Sequence, residues 1–378
     1  RGVISFYHKP GWGALANWAD RPIIQSSIMV VTLLLVIYLG FLALSFGWPL
    51  LVWLRVQPSS ASETLALSAF SGLAVITALG GLASLGMRLN VEFQAVLLAA
   101  GCALFLKFKP YRCLAGLRRR ERWLWAGAAI LAAGGILLLN AASTLPVNYD
   151  TGTYHQQVIR WITTYPAVPG LANIHVRLGY NSAWLTSGAI FSFPFIKQGP
   201  FYPVSAFVFI LFHLYAFSPI RGILRGDRAK ISGLLRLTLG AASFVYLITQ
   251  ASSPGTDAPT TLFTWYLVCE AVRLIEERHP AESGQFILLG SLAVFCVTAK
   301  LASLPLAASV LVLAVILAMR KNFGGLAWLA GLSAFFFLPY LGRNLVLSGY
   351  LIFPGFGWDP FLFDWKVPPA AALEEARV

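Results

Sequence analysis

The sequence predicts an all-α integral membrane protein, on three observations: long unbroken apolar runs, scarce charge, and basic residues gathered into alternate loops. Of the 378 residues, 58% are hydrophobic and 11% charged, with a mean hydropathy of +0.72. A soluble domain carries roughly 25% charged residues to keep its surface wetted. Several runs reach the ~18 residues that cross about 30 Å of hydrocarbon at ~1.5 Å per residue. Their continuity, without polar–apolar alternation, argues against a β-barrel.

The runs place about ten spanning helices, near 27–50, 65–86, 91–106, 123–143, 201–218, 232–250, 261–276, 285–299, 303–319 and 325–341. Orientation follows from Lys and Arg, which collect on the cytoplasmic side. The densest basic segment is Lys107-Phe108-Lys109-Pro110-Tyr111-Arg112 followed by Arg118-Arg119-Arg120-Glu121-Arg122. Arg221, Arg225, Arg228 and Lys230, then Arg278, then Arg320 and Lys321 fall on that same side if the spans alternate. The net charge of +13 therefore reads as positive-inside bias. Aromatic interleaving and nucleic-acid motifs are both missing, so no nucleic-acid partner is expected.

The opposite side receives the large loop 144–200, the turn 251–260, the joint at Lys300 and a tail over 342–378. In the loop, Tyr154, Val158, Trp161, Ile162 and Tyr165 recur at helical spacing. This predicts a short amphipathic helix lying on the membrane surface, aromatic face down. With no internal repeat, the chain reads as one polytopic membrane domain over 1–378. It opens at Arg1 without a signal peptide, and Ala371 to Val378 reads as a helix cut off early, so a longer native chain is expected. Cys102, Cys113, Cys269 and Cys296 have neither metal nor disulfide spacing and read as packing residues.

Candidate chemistry collects on the loop side. Asp150, in Asn148-Tyr149-Asp150-Thr151-Gly152-Thr153-Tyr154-His155, is read either as a helix N-cap or as a general base or metal ligand facing a water-filled cavity. Asp257, in Ser252-Ser253-Pro254-Gly255-Thr256-Asp257, opens a span and has the same two readings. His155, Arg160, Arg177, Lys300 and Arg343 are candidate phosphate ligands, with contact to lipid phosphates or snorkelling as their bland alternative. His175 stands beside Arg177. Glu270 and Arg273 read as a structural i,i+3 pair inside a span. The segments Trp358-Asp359 and Phe363-Asp364-Trp365-Lys366 read as an interfacial anchor. A divalent metal is open as a cofactor, although no ligand cluster of defined spacing appears.

The stretch Asp150-Thr151-Gly152-Thr153-Tyr154-His155, then Val168-Pro169-Gly170-Leu171-Ala172-Asn173, then Arg177-Leu178-Gly179-Tyr180-Asn181-Ser182 resembles a family of uncharacterised bacterial multi-spanning membrane proteins. Ser253-Pro254-Gly255-Thr256-Asp257, Lys300-Leu301-Ala302-Ser303 and Asp364-Trp365-Lys366-Val367-Pro368 fit the same family, so the resemblance covers about 120–370. More distantly, the layout is similar to the C superfamily of glycosyltransferases, which use polyprenyl-phosphate sugars and carry an acidic residue in a large non-cytoplasmic loop. Two departures stand out: the loop follows the fourth predicted span instead of the first, and Asp150 is followed by Thr151 instead of a second acid. The resemblance implies a multi-pass glycosyltransferase of the bacterial inner membrane. Its donor would be a lipid-linked sugar, its acceptor a hydroxyl, and Asp150 its principal catalytic position. Alternatives are a polysaccharide polymerase or ligase, a non-enzymatic accessory subunit among partner membrane proteins, and, last, a transporter.

Overall fold

The computed structural model describes residues 22–56, 60–112, 135–144, 146, 148–196, 201–228, 230–355 and 360–377. Among these every regular element is helical. The main helices are α1 (Pro22–Trp53), α2 (Ala61–Ala83), α3 (Val91–Phe108), α4 (Gln156–Thr164), α5 (Ala183–Ile190), α6 (Pro203–Ala216), α7 (Ile231–Leu247), α8 (Asp257–Glu276), α9 (Gly284–Ala299), α10 (Ala307–Met319), α11 (Phe323–Ser348) and α12 (Pro369–Ala376).

Among the described residues six stretches are long and apolar enough to cross a membrane: Ser26–Trp53, Ala61–Ala83, Val91–Phe108, Ile231–Gln250, Leu301–Met319 and Phe323–Ser348. The molecule is thus a helical, multi-pass membrane protein. Two further predicted spans correspond to shorter apolar helices, Pro203–Ala216 and Gly284–Ala299. Of the predicted span 123–143, residues 135–142 are helical and the preceding part lies outside the described residues. The whole basic segment Arg118 to Arg122, together with Cys113, Trp358 and Asp359, lies outside them as well.

The bundle is organised around α2. Of its apolar window 78% is buried, against no more than 33% in the other candidate spans. It packs against α1, α5, α6, α9 and α11. Its start is set by Ser60, whose hydroxyl accepts from the Glu63 amide at 3.3 Å, satisfying one of the first-turn donors. Close approach to α1 depends on two glycines. A Cβ on Gly72 would lie 1.7 Å from the Ala43 carbonyl oxygen, and one on Gly47 equally 1.7 Å from that of Ser68. Small residues let backbones meet this way where lipid removes the hydrophobic drive between helices.

At the end of the bundle where α2 begins, a buried charge network joins four helices. The Arg273 guanidinium of α8 holds Glu270 in a two-pronged contact, Nη2 to Oε1 at 2.6 Å and Nε to Oε2 at 3.1 Å. The i,i+3 pair expected from sequence is therefore present, and it is only part of the arrangement. Glu63 of α2 lies 3.6 Å from Arg273 and accepts from Arg236 of α7 at 3.2 Å. Tyr215 of α6 donates its hydroxyl to Glu270 at 3.0 Å, and its carbonyl takes two donors from Arg236. Each guanidinium has carboxylate partners, which is what makes its burial tolerable.

The large loop folds back onto the bundle. The predicted amphipathic helix is α4, but Val158, Ile159 and Ile162 are buried in the protein core, and α4 packs on α5. The Leu89 amide donates to the Ile162 carbonyl at 3.0 Å, and the Ala167 amide to the Ser84 carbonyl at 2.7 Å. Protein, in place of lipid, thus covers the apolar face. Part of the tail is likewise packed. Val367, Ala372, Tyr350 and Phe353 form a second small core with Ala172, and Asn173 donates to the Trp365 carbonyl at 2.6 Å. Phe361, Phe363 and Trp365 stack in sequence.

Two expectations follow. Gly72→Val drives a methyl group into the α1 backbone, and overpacking of this kind costs about 1–3 kcal/mol. A lower thermal unfolding temperature in detergent measures it. Arg273→Met leaves Glu270 and Glu63 buried without their shared cation, at about 3–5 kcal/mol. Pairing it with Glu270→Leu should restore part of that loss in the same assay, and equal loss in single and double variants would contradict the network.

Candidate functional site

The loop end of the bundle assembles residues that the chain keeps far apart. Asn148 opens the site: its Oδ1 accepts from the Asp150 amide at 2.9 Å. Asn148 therefore does the capping expected of Asp150, which has helical dihedrals and makes no cap hydrogen bond. The carboxylate is left for other work. Residues Thr151–His155 then form one wide π-type turn before α4, a distortion frequent at functional sites.

Arg177 sits on a tight turn, Val176–Gly179, capped by His175, whose Nδ1 accepts from the Arg177 amide at 3.2 Å. The Arg177 Nη1 lies 3.8 Å from Asp150 and its Nε 3.8 Å from Glu375 of α12. Its guanidinium stands over the Tyr154 ring, 5.7 Å from the centroid. At these separations the ion pairs are not hydrogen bonds, so the Asp150 oxygens keep acceptor capacity. The Tyr180 hydroxyl donates to Glu375.

Asp257 reaches the same region from α8. Like Asp150 it is no cap: Thr256 occupies that position, with no side-chain cap bond. Asp257 instead takes a hydrogen bond from Lys300, with 57% and 39% of the two side chains exposed. An ion pair this exposed adds little stability. The turn before Asp257 is pinned beside Asp150 by Ser253. Its hydroxyl meets that of Thr151 at 2.8 Å, and its carbonyl accepts from Ser205 of α6 at 2.6 Å.

His155 lies between these two arms. It is buried, with neither ring nitrogen bonded among the described residues. Burial holds its pKa down to about 4, against the pull of the Asp150 and Asp257 carboxylates and with help from Lys300. Both carboxylates also act on Tyr154, whose phenol is raised to about 12, first by burial. Asp150 and Asp257 therefore share one electrostatic environment. Desolvation outweighs the nearby negative charge at His155, so burial favours the neutral imidazole.

The other predicted cations divide. Arg177 and Lys300 stand at the site, each beside a carboxylate. Arg160 is exposed on α4 and makes no ion pair among the described residues. Arg343 was expected in a tail beyond the last span. Instead α11 continues through it to Ser348 and buries it, 3% exposed. Its Nε donates to Asn181 Oδ1 at 3.0 Å and its Nη1 to the Ser84 hydroxyl. Three consecutive residues link these parts. Tyr180 holds Glu375, Asn181 holds Arg343 and the Tyr340 carbonyl, and Ser182 donates to the Ala299 carbonyl, next to Lys300, at 2.6 Å.

Sequence reasoning missed Tyr154 and Tyr180 as site residues, although both fall inside the motifs quoted for the resemblance. Glu375 carried no signal, since it reaches Arg177 only through tertiary packing. Among the described residues, no three His, Cys, Asp or Glu side chains are grouped to hold a metal ion.

Residues 29–377 match the domain of unknown function DUF8201. The chain belongs to the DUF8201 family. No curated protein and no solved structure matches it. The DUF8201 domain runs from α1 to α12, so every candidate site residue of this DUF8201 protein lies within it.

The His155 shift sets a pH dependence. The unfolded imidazole titrates near its ordinary 6.5 and the folded one near 4, so between these values the unfolded chain binds more protons. Stability from this group is complete above pH 6.5 and falls as pH drops toward 4. Replacing His155 by Gln should flatten the loss of thermal stability over that window, and an unchanged slope would show that other groups cause it.

Proposed function

We propose that this DUF8201 protein is a membrane glycosyltransferase that moves a sugar from a polyprenyl-phosphate donor to a hydroxyl acceptor. In this reading the chain crosses the bacterial inner membrane about ten times, as a single domain whose long loop and tail face away from the cytoplasm. The main support is the convergence of Asp150, Asp257, Arg177 and Lys300 at one end of the bundle, opposite the end that carries the basic loops. Spanning helices deliver a lipid-borne donor to that end, and a partly exposed site admits a polar acceptor.

The chemistry assigned to these residues is one displacement. The acceptor hydroxyl gives its proton to the Asp150 carboxylate as its oxygen bonds to the anomeric carbon. The bond from that carbon to the phosphate oxygen breaks, and its electron pair leaves with the polyprenyl phosphate. Arg177 and Lys300 stabilise the phosphate as negative charge grows on it. Asp257 keeps Lys300 in place. His155, neutral and buried beside Asp150, adds no competing positive charge.

A second reading is a non-enzymatic subunit of a larger membrane complex. It draws on the fact that both carboxylates already have cationic neighbours, as purely structural groups would. The polymerase or ligase reading expects a cavity lined by arginines, and the carboxylate-centred arrangement here favours it less.

The discriminating experiment compares wild type with Asp150→Asn in detergent or nanodiscs, supplied with polyprenyl-phosphate hexoses. Transfer should fall about 10²–10⁴-fold, while donor binding stays near wild type. Equal turnover by both proteins would remove Asp150 from catalysis. If neither protein binds or consumes any donor, the subunit reading takes over.

A further inference from the structure

Arg177 stands between two carboxylates, and one of them, Glu375, has no part in the displacement itself. The Arg177 Nη1 lies 3.8 Å from Asp150 Oδ1, and its Nε lies 3.8 Å from Glu375 Oε1. Both separations are about 1 Å longer than a charge-assisted hydrogen bond. A guanidinium is a rigid fork of five donors, suited to close on a single carboxylate with two parallel bonds. Here it closes on neither.

Glu375 is fixed by the packing of the tail. Ala372 of α12 is fully buried in the small core with Val367, Tyr350, Phe353 and Ala172, and the Val367 amide donates to the Ser348 carbonyl at 3.0 Å. The same core holds the turn that carries Arg177, which α12 also touches. A Cβ on Gly179 would lie 2.7 Å from the Ala172 Cβ and 3.0 Å from the Phe353 ring. The Tyr180 hydroxyl donates to Glu375. Burial, and then this contact, raise the Tyr180 phenol well above its ordinary range, so it stays a donor. The Glu375 side chain is 15% exposed, against 43% for Asp150, so its charge is the less screened of the two. Glu374 and Arg377, its charged neighbours in the chain, are exposed.

We propose that Glu375 is a positioning residue for the Asp150 site: its charge draws the Arg177 guanidinium off Asp150 and leaves that carboxylate free to accept a proton. The inference rests on the reading of Asp150 as the proton acceptor. Without the Glu375 charge, Asp150 is the one carboxylate facing Arg177 among the described residues. The fork then closes on it with two hydrogen bonds. Both Asp150 oxygens are occupied, the acceptor hydroxyl loses its partner, and the guanidinium is no longer free to meet a phosphate.

The test reads Asp150 directly and does not require transfer. Purified protein in detergent is treated with a water-soluble carbodiimide and an amine at one pH, and labelling of Asp150 is quantified by peptide mass spectrometry. Glu375→Gln keeps an acceptor for Tyr180 and removes only the charge. It should slow Asp150 labelling by about threefold or more, because a closer guanidinium holds the carboxylate ionised. Arg177→Gln should speed labelling. The double variant should label like Arg177→Gln alone, since Glu375 acts through Arg177. A wild-type rate in Glu375→Gln, or equal slowing with and without Arg177, overturns the proposal. Should Glu375→Gln fail to fold, Glu375→Asp decides. It draws the charge back by one methylene and should slow labelling less, and an unchanged rate again overturns the proposal. Transfer from a polyprenyl-phosphate hexose separates the two readings: Glu375→Gln should lower kcat more than it changes the donor KM. The expected labelling pattern in a protein that transfers no sugar keeps the role of Glu375 at Arg177 and sinks the catalytic reading. Transfer lost in Asp150→Asn but unchanged in Glu375→Gln does the reverse.

Discussion

The cost of holding charge away from water shapes this molecule at both ends. At the end where α2 begins, Glu63, Glu270, Arg236 and Arg273 are buried together and matched. The match comes from α2, α7 and α8, with α6 contributing Tyr215. Such a cluster gains little over an apolar core of equal volume, but no single member can be removed cheaply. It therefore fixes which helices lie side by side, and α2, already the most enclosed of the candidate spans, becomes the axis around which the rest are arranged.

At the loop end the same cost is left partly unmet. Asp150 and Arg177 approach without bonding, Asp257 and Lys300 pair near solvent, and among the described residues the buried His155 ring has no hydrogen-bond partner and Arg343 has neutral partners. A folded protein tolerates such groups where the fold over-determines their positions. Here the fixing elements are ordinary: an Asn148 cap, a Ser253 crosslink, the Tyr180-Asn181-Ser182 segment and the α12 helix. Deeply buried paired charge at one end and partly exposed charge at the other is the asymmetry on which the proposed function rests.

The DUF8201 match over residues 29–377 includes every residue of the candidate site. The large loop lies within that match: α4 buries its apolar face against α5, and the tail adds its own small core. The loop thus packs as protein against the bundle.

The sequence by itself determined the helical membrane class, since apolar runs of spanning length and scarce charge leave few other ways to satisfy a backbone in lipid. It also pointed to Asp150, Asp257, Arg177 and Lys300, because a polar residue between apolar runs is conspicuous whatever the fold. Local pattern could go no further. Periodicity gave α4 an apolar face but could not say whether lipid or α5 covers it. Residue type made His155 a titratable group, and only burial moved its pKa well below the ordinary value. Hydropathy ended the last span before Arg343, whereas packing against Asn181 and Ser84 carried the helix past it. Glu375 and the Glu63–Arg236–Arg273 network join residues distant in the chain, and no local signal encodes such contacts. Burial and charge pairing are properties of neighbours in space, so only the tertiary structure decided them.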